Sequence, residues 1–161
     1  MQKVVSLLPC LVTFVIPDRR KNKGILRTSN RCFKMKLRIL IADDNQKALL
    51  ALVAALSQDF NVIATAANGR SALEQIRQLQ PSVAVLDLNM PELNGIEVTR
   101  EIVRQSLSCA VVICSIAKAP ELIEAALAAG ALGYVFKRRL IQDLSIAVKR
   151  AADGESFISG S

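Results

Sequence analysis

Three aspartates, Asp43, Asp44 and Asp87, each follow a short apolar run, and carboxylates in such positions could bind a metal ion. The runs, residues 37–42 and 83–86, are brief, rich in β-branched residues and almost free of polar ones, as buried parallel strands are. The carboxyl ends of parallel strands meet at one edge of an open α/β sheet, where ligands bind. Carboxylates crowded there repel one another unless a cation lies among them. An all-oxygen cluster favours Mg²⁺, held beside one reactive carboxylate.

The segments around these runs alternate strand and helix patterns five times. This alternation predicts an α/β fold with a five-stranded parallel sheet that is doubly wound, with helices on both faces. We predict strands over residues 37–42, 60–66, 83–87, 109–115 and 133–137. We predict helices over residues 45–57, from Asn68 or Ser71 to about 80, and over 96–105, 120–130 and 140–152.

The net charge of +7 belongs to the N-terminal segment. Residues 1–34 contain eight of the 21 Lys and Arg residues and one of the 14 Asp and Glu residues, so residues 35–161 carry thirteen of each sign. A neutral body has no basic surface of the kind that binds nucleic acid, and we expect no direct DNA binding from it.

We predict three segments: a basic extension over residues 1–34, a domain over residues 35–155 and a short tail over residues 156–161. The extension is expected to be disordered or to lie upstream of a true start at Met35. Its apolar stretch, residues 4–16, is shorter than the roughly 20 residues that span a bilayer, and no small-residue cleavage site follows it. We expect no membrane insertion; a membrane-surface anchor and a targeting role are the alternatives.

The sequence contains four cysteines, Cys10, Cys32, Cys109 and Cys114, and no histidine. No CxxC spacing is present, so a zinc site is not expected. Free thiols indicate a reducing compartment, and we expect a cytoplasmic protein. Without histidine the chain cannot form a Ser-His-Asp triad or an internal phosphohistidine. Any phosphoryl group would have to come from another molecule.

Several segments in order resemble the receiver domain of bacterial response regulators: residues 41–45 (IADDN), 86–95 (LDLNMPELNG), 113–115 (ICS) and 133–137 (GYVFK). The Asp-Leu-Asn-Met-Pro loop, the following GIEVTR and the Lys137-Arg138 pair are most similar to the LuxR-type subfamily. The resemblance implies a flavodoxin-like (βα)5 fold and a place in a two-component phosphorelay.

The resemblance implies that Asp87 accepts a phosphoryl group from the phosphohistidine of a partner histidine kinase or phosphotransfer protein. The resemblance also implies that Mg²⁺ is bound by Asp43, Asp44, Asp87 and the backbone carbonyl of Asn89. It implies that Lys137 and Ser115 contact the phosphoryl group. It further implies that Ser115 and Tyr134 change conformation when Asp87 is phosphorylated.

Ordinary structural roles are open to several of these residues. Asp43 or Asp44 could cap the first helix, and Lys137 could extend along the sheet edge into solvent. Ser115 could simply end a strand, and Tyr134 could be a plain strand aromatic. Two adjacent aspartates exceed what a cap requires, which favours the metal-binding interpretation.

Four functions are open at this stage. The first is a phosphoacceptor that is no conventional enzyme and catalyses only its own phosphorylation and slow dephosphorylation. The second is a degenerate receiver that binds partners unphosphorylated, because Ile116, at a position usually small in receivers, is expected to crowd the pocket. The third is a truncated DNA-binding regulator, because LuxR-type regulators continue into a helix-turn-helix domain whereas this chain stops at Ser161. The fourth, a phosphohydrolase of the haloacid dehalogenase type, is disfavoured by Asn89, where that family has an acid. The oligomeric state, including a homodimer, is left open.

Overall fold

The computed structural model describes residues 13–16, 25–28 and 36–160, which belong to two separate units, Met1–Met35 and Lys36–Ser161. In the first unit, β1 (Thr13–Ile16) and β2 (Ile25–Thr28) pair as antiparallel strands. Their residues are largely β-branched or aromatic, which favours strands. That residues 1–34 are disordered or lie upstream of a true start stays a prediction; apart from these two strands, the segment lies outside the described residues.

The second unit is built from alternating strands and helices. Its strands are β3 (Arg38–Ala42), β4 (Asn61–Ala66), β5 (Val83–Asp87), β6 (Ala110–Ser115), β7 (Gly133–Phe136) and β8 (Phe157–Ile158). Its helices are α1 (Gln46–Leu56), α2 (Gly69–Leu79), α3 (Gly95–Arg104), α4 (Pro120–Ala128) and α5 (Leu140–Ala152). A short 3₁₀ turn, Lys137–Arg139, connects β7 to α5.

The strand order in this sheet is β4-β3-β5-β6-β7-β8, and every neighbouring pair is parallel. The chain goes outward from β3 to β4 and then crosses back to β5, so the direction of winding reverses at β3. In doubly wound folds, ligands bind at this reversal, beyond the carboxyl ends of the strands. The predicted doubly wound parallel sheet is confirmed.

The sheet has six strands where the sequence predicts five. The additional strand, β8, pairs with the outer edge of β7, with Gly133 opposite Phe157 and Tyr134 opposite Ile158. It lies in the segment predicted to be a short tail, because two residues are too few to show a strand periodicity. Phe157 packs against the hydrophobic core beside α5, which explains why this segment adheres to the sheet.

The helices bury both faces of the sheet. On one face, α1 and α5 contribute Leu52 and Leu144 to a core that includes Val85 of β5. On the other face, α2 and α3 contribute Ile76 and Ile102 to a second core shared with α4. Every residue of β5 is buried. The last residue of β5, Asp87, is therefore held in place by packing on both sides of the strand.

Asparagine is the N-cap residue of three of the described helices. Asn45 accepts hydrogen bonds from two first-turn N–H groups of α1, and Asn68 accepts one from the N–H of Ser71 in α2. Asn94 and Glu97 form a reciprocal capping box at α3. Side-chain acceptors in this position satisfy N–H groups that a helix leaves unpaired. The cap at Asn45 begins α1 immediately after Asp43 and Asp44, so these aspartates stay at the sheet edge.

The longest described helix, α5, has 13 residues, fewer than the roughly 20 that a membrane-spanning helix needs. Within residues 36–160, no helix is long and apolar enough to cross a bilayer.

Candidate functional site

The carboxyl ends of β3 and β5 bring Asp43, Asp44 and Asp87 together. These strands are neighbours in parallel register, with Ala42 opposite Leu86. One carboxylate oxygen from each aspartate lies within 4.8 Å of the other two. Asp43 and Asp87 are buried, whereas Asp44 is exposed. A cluster of three carboxylates, open to solvent on one side, could hold a metal ion that prefers oxygen ligands.

Lys137 places its ammonium group between two of these carboxylates. Its Nζ lies 2.6 Å from Asp43 Oδ2 and 2.8 Å from Asp87 Oδ1. The strand β7 ends one residue earlier, so Lys137 is the first residue of the 3₁₀ turn rather than the last residue of the predicted strand. The turn directs the side chain inward, and only 18% of it is exposed.

Burial and charge act in opposite directions on these groups. Burial raises the pKa of Asp87 above its usual value, and the ammonium of Lys137 offsets only part of that effect. Burial also disfavours the Lys137 ammonium, but the hydrogen bonds and charges of Asp43 and Asp87 outweigh burial and raise the pKa of Lys137. Lys137 therefore stays positively charged at neutral pH.

Main-chain N–H groups orient both buried carboxylates. Asn45 N–H donates to Asp43 Oδ1 at 3.0 Å, and Asn89 N–H donates to Asp87 Oδ2 at 3.0 Å. The other oxygen of each carboxylate is the one that contacts Lys137. Each carboxylate is thus held at both of its oxygens, which removes its rotational freedom before any ligand arrives.

Gly95 allows the loop after β5 to fold back closely onto the site. A Cβ atom at this position would lie 2.4 Å from the carbonyl oxygen of Asp87. Gly95 N–H also donates to the carbonyl of Leu88 at 3.0 Å. A side chain at position 95 would therefore push the loop away from the phosphoacceptor candidate Asp87.

Ser115 and Tyr134 form a second group of polar contacts at the ends of β6 and β7. Ser115 is buried, and its Oγ accepts a hydrogen bond of 3.1 Å from Ala117 N–H. The hydroxyl of the fully buried Tyr134 donates to the carbonyl of Ala117 at 3.0 Å. Phe136 contacts the Tyr134 ring edge-on, with centroids 5.7 Å apart. Ala117 is therefore bonded to both residues.

Ile116 lies between Ser115 and Ala117 in the sequence, but its side chain points outward. Its side chain is 77% exposed, so it does not fill the interior of the site. The expectation that Ile116 slows access to Asp87 stays a prediction, since an exposed residue beside Ser115 can still obstruct an incoming molecule.

Several contributors to the site are main-chain groups that the sequence analysis does not identify. They are the N–H groups of Asn45 and Asn89 and the N–H and C=O of Ala117. Every residue carries such groups, so neither composition nor spacing gives a signal for them. The carbonyl of Asn89 as a metal ligand stays a prediction.

The comparisons with known proteins agree with this geometry. The family model for the response regulator receiver domain matches residues 39–149. The uncharacterized transcriptional regulatory protein YvfU of Bacillus subtilis is 34% identical over 125 residues, which cover 76% of this chain and 62% of that protein. The nitrate/nitrite response regulator protein NarL of Escherichia coli K12 is 34% identical over 123 residues, covering 75% and 57%.

Solved structures show the same fold. A DNA-binding response regulator of the LuxR family from Staphylococcus aureus has a TM-score of 0.69 at 30% identity, covering 72% of this chain and 98% of that one. A two-component response regulator of the LuxR family from Aurantimonas sp. has a TM-score of 0.74 at 27% identity, covering 78% and 91%.

The chain spans between 53% and 62% of the length of three of the curated relatives that it matches. The family match, by contrast, extends from β3 into α5 and includes every strand that contributes to the site. The chain therefore belongs to the family of response regulator receiver domains, and its relatives are LuxR-type response regulators.

Proposed function

We propose that this chain is a phosphoacceptor receiver in which Asp87 takes a phosphoryl group from the phosphohistidine of a partner histidine kinase or phosphotransfer protein. The observation that carries the proposal is the position of the Lys137 ammonium, 2.8 Å from Asp87 and 2.6 Å from Asp43, beside a three-carboxylate cluster. The Asp87 carboxylate thus has the Lys137 ammonium on one side and, on the other, two further aspartates that could hold a metal ion with it.

The donor set fits Mg²⁺. Asp43, Asp44 and Asp87 offer hard oxygen ligands, and the exposed side of the cluster at Asp44 leaves room for the water that Mg²⁺ retains. The backbone carbonyl of Asn89 is the proposed fourth protein ligand. Bound there, Mg²⁺ would neutralise charge on the incoming phosphoryl group.

The chain itself would supply the nucleophile, a positive charge and a hydroxyl donor for the phosphoryl transfer. An Asp87 oxygen forms a bond to phosphorus while the P–N bond of the donor phosphohistidine breaks and the imidazole leaves with the bonding electrons. Lys137 already contacts Asp87 Oδ1, so its positive charge reaches the oxygens of a phosphoryl group on that carboxylate. Ser115 Oγ accepts from Ala117 N–H, which leaves its own proton available to donate.

Switching would involve the same contacts. A phosphoryl group on Asp87 attracts the hydroxyl of Ser115, and a shift of Ser115 moves Ala117, to which Tyr134 is bonded. The output would be a changed surface near α4, β7 and α5, recognised by a partner that prefers one state. In this proposal the chain performs only its own phosphorylation and slow dephosphorylation, and it does not bind DNA directly.

The test uses the full chain with acetyl phosphate, read by intact-protein mass. We expect a gain of one phosphate in Mg²⁺ and none in EDTA. Asp87→Ala should abolish the gain, whereas Asp153→Ala, which removes an exposed aspartate at the end of α5, should leave it unchanged. A gain that survives Asp87→Ala would contradict the proposal. No gain in a folded chain would favour the alternative, a receiver that binds its partners unphosphorylated.

A further inference from the structure

The strand β8 is bonded to the backbone of the switch candidate Tyr134. Ser159 N–H donates to the carbonyl of Tyr134 at 2.8 Å, and Phe157 N–H donates to the carbonyl of Leu132 at 2.8 Å. Tyr134 is therefore engaged at both ends, with its hydroxyl on Ala117 and its carbonyl on β8.

Two side chains of this segment anchor it to α5. Phe157 packs into the core on the α5 side of the sheet. The hydroxyl of Ser159, which is buried, donates to Asp143 of α5. Asp143 is in turn held by two hydrogen bonds from Arg139, at 2.7 and 3.3 Å. Arg139 belongs to the 3₁₀ turn that begins with Lys137. The segment is thus attached to the turn that carries the site lysine.

Ile158 is the β8 residue that pairs with Tyr134. The two residues are directly opposite each other in the parallel pairing of β7 and β8, and residues in register point to the same face of a sheet. The Tyr134 ring is fully buried on that face. A ring rotating out of its pocket toward the open edge of the sheet would meet Ile158, so β8 restricts Tyr134 to its buried position.

The buried position of Tyr134 matters for Ser115. The Tyr134 hydroxyl holds the carbonyl of Ala117, and Ala117 N–H donates to Ser115 Oγ. The bond from Ala117 N–H therefore links the position of the Ser115 hydroxyl to the loop that Tyr134 holds. Loss of the Tyr134 contact would release the loop and with it the orientation of Ser115.

We propose that β8 is a latch: by covering the edge of β7 it keeps Tyr134 buried, and it thereby holds Ser115 in the orientation that assists phosphorylation of Asp87. The effect on phosphorylation rests on the proposed function; the effect on Tyr134 does not.

The sequence offers a direct probe of the latch. Tyr134 is the only tyrosine and the chain has no tryptophan, so intrinsic tyrosine fluorescence reports this one ring. We would measure acrylamide quenching of the full chain without phosphodonor for Ile158→Ala and Ser159→Ala. The matched control is Ser156→Ala, an exposed serine of the same segment. Far-UV circular dichroism verifies the fold of each variant, and two independent variants guard against the failure of one.

We expect the quenching constant to rise at least about threefold in Ile158→Ala and Ser159→Ala and to stay unchanged in Ser156→Ala, because the open state becomes populated. The initial rate of labelling by acetyl phosphate should fall at least about threefold in the same two variants. Unchanged quenching would overturn the latch. Raised quenching with an unchanged labelling rate would overturn its influence on Asp87. If wild type takes no phosphate while quenching responds as expected, the proposed function fails and the hold of β8 on Tyr134 stands.

Discussion

Lys137 and Asp43 form a 2.6 Å ion pair although they are 94 residues apart in the sequence. Asp43 follows β3 and Lys137 follows β7, with β5 and β6 between them in the sheet. The pair therefore connects strands that do not touch, and it does so across the site. The distance between Lys137 and Asp43 depends on the register of β5 and β6, so this ion pair can form only when the sheet is correctly assembled.

Replacing Lys137 with methionine should destabilise the chain by about 2–3 kcal/mol at pH 7 in EDTA, because two buried carboxylates lose their common cation. The free energy of unfolding in urea measures the loss. The matched control is Lys149→Met, which breaks the exposed pair with Asp59 and should cost less than about 1 kcal/mol.

The pH dependence of that loss has a definite sign. Burial already raises the pKa of Asp87 in the wild-type chain, and removal of Lys137 would raise it further. A carboxyl group whose folded pKa is raised contributes stability at low pH that is lost as the pH rises through the folded value. The deficit of Lys137→Met should therefore shrink between pH 7 and pH 4. A deficit that is constant or grows over this range would contradict the arrangement.

The positions of Asp43, Asp87 and Lys137 could be predicted because short apolar runs mark where buried strands end, and strand ends share one edge. The sequence does not show that Lys137 bonds two carboxylates at once, since those distances depend on register across several strands. Nor does it show β8, which is two residues long and is held by contacts with β7 and α5 rather than by its own pattern.

Gly95→Ala should lower the free energy of unfolding by about 2–3 kcal/mol, because the new Cβ would overlap the Asp87 carbonyl, 2.4 Å away, and the loop must shift. Gly154→Ala is the comparison. Apart from its chain neighbours, none of the described residues has an atom within 4 Å of a Cβ there, and its φ of +78° alone should cost about 1 kcal/mol. Urea unfolding of both variants separates crowding from backbone strain, and an equal or smaller loss at Gly95 would refute the close approach.

Asp44→Asn should weaken Mg²⁺ binding at least about tenfold, because one unit of negative charge is removed from within 4.8 Å of the other carboxylates, and 1.4 kcal/mol corresponds to a factor of ten. Stability should change by less than about 0.5 kcal/mol, since Asp44 is exposed. Isothermal titration calorimetry measures the affinity, with Asp153→Asn as the control. Equal affinities in the two variants would place the metal elsewhere or remove it from the proposal.

Ile116→Ala should speed labelling by acetyl phosphate at least about twofold, a change of about 0.4 kcal/mol in the barrier. Ile116 follows Ser115 and its side chain is 77% exposed, so it can obstruct a molecule that approaches Asp87 without supporting the core. For the same reason stability should change by less than about 0.5 kcal/mol.

Val103→Ala provides the control, because Val103 is also exposed, at 57%, but lies near the end of α3, away from the carboxyl ends of the strands. The rates are compared by intact-protein mass at early times. Equal rates for Ile116→Ala and wild type would show that this side chain leaves the approach to Asp87 open, and the crowding predicted from the sequence would then be wrong.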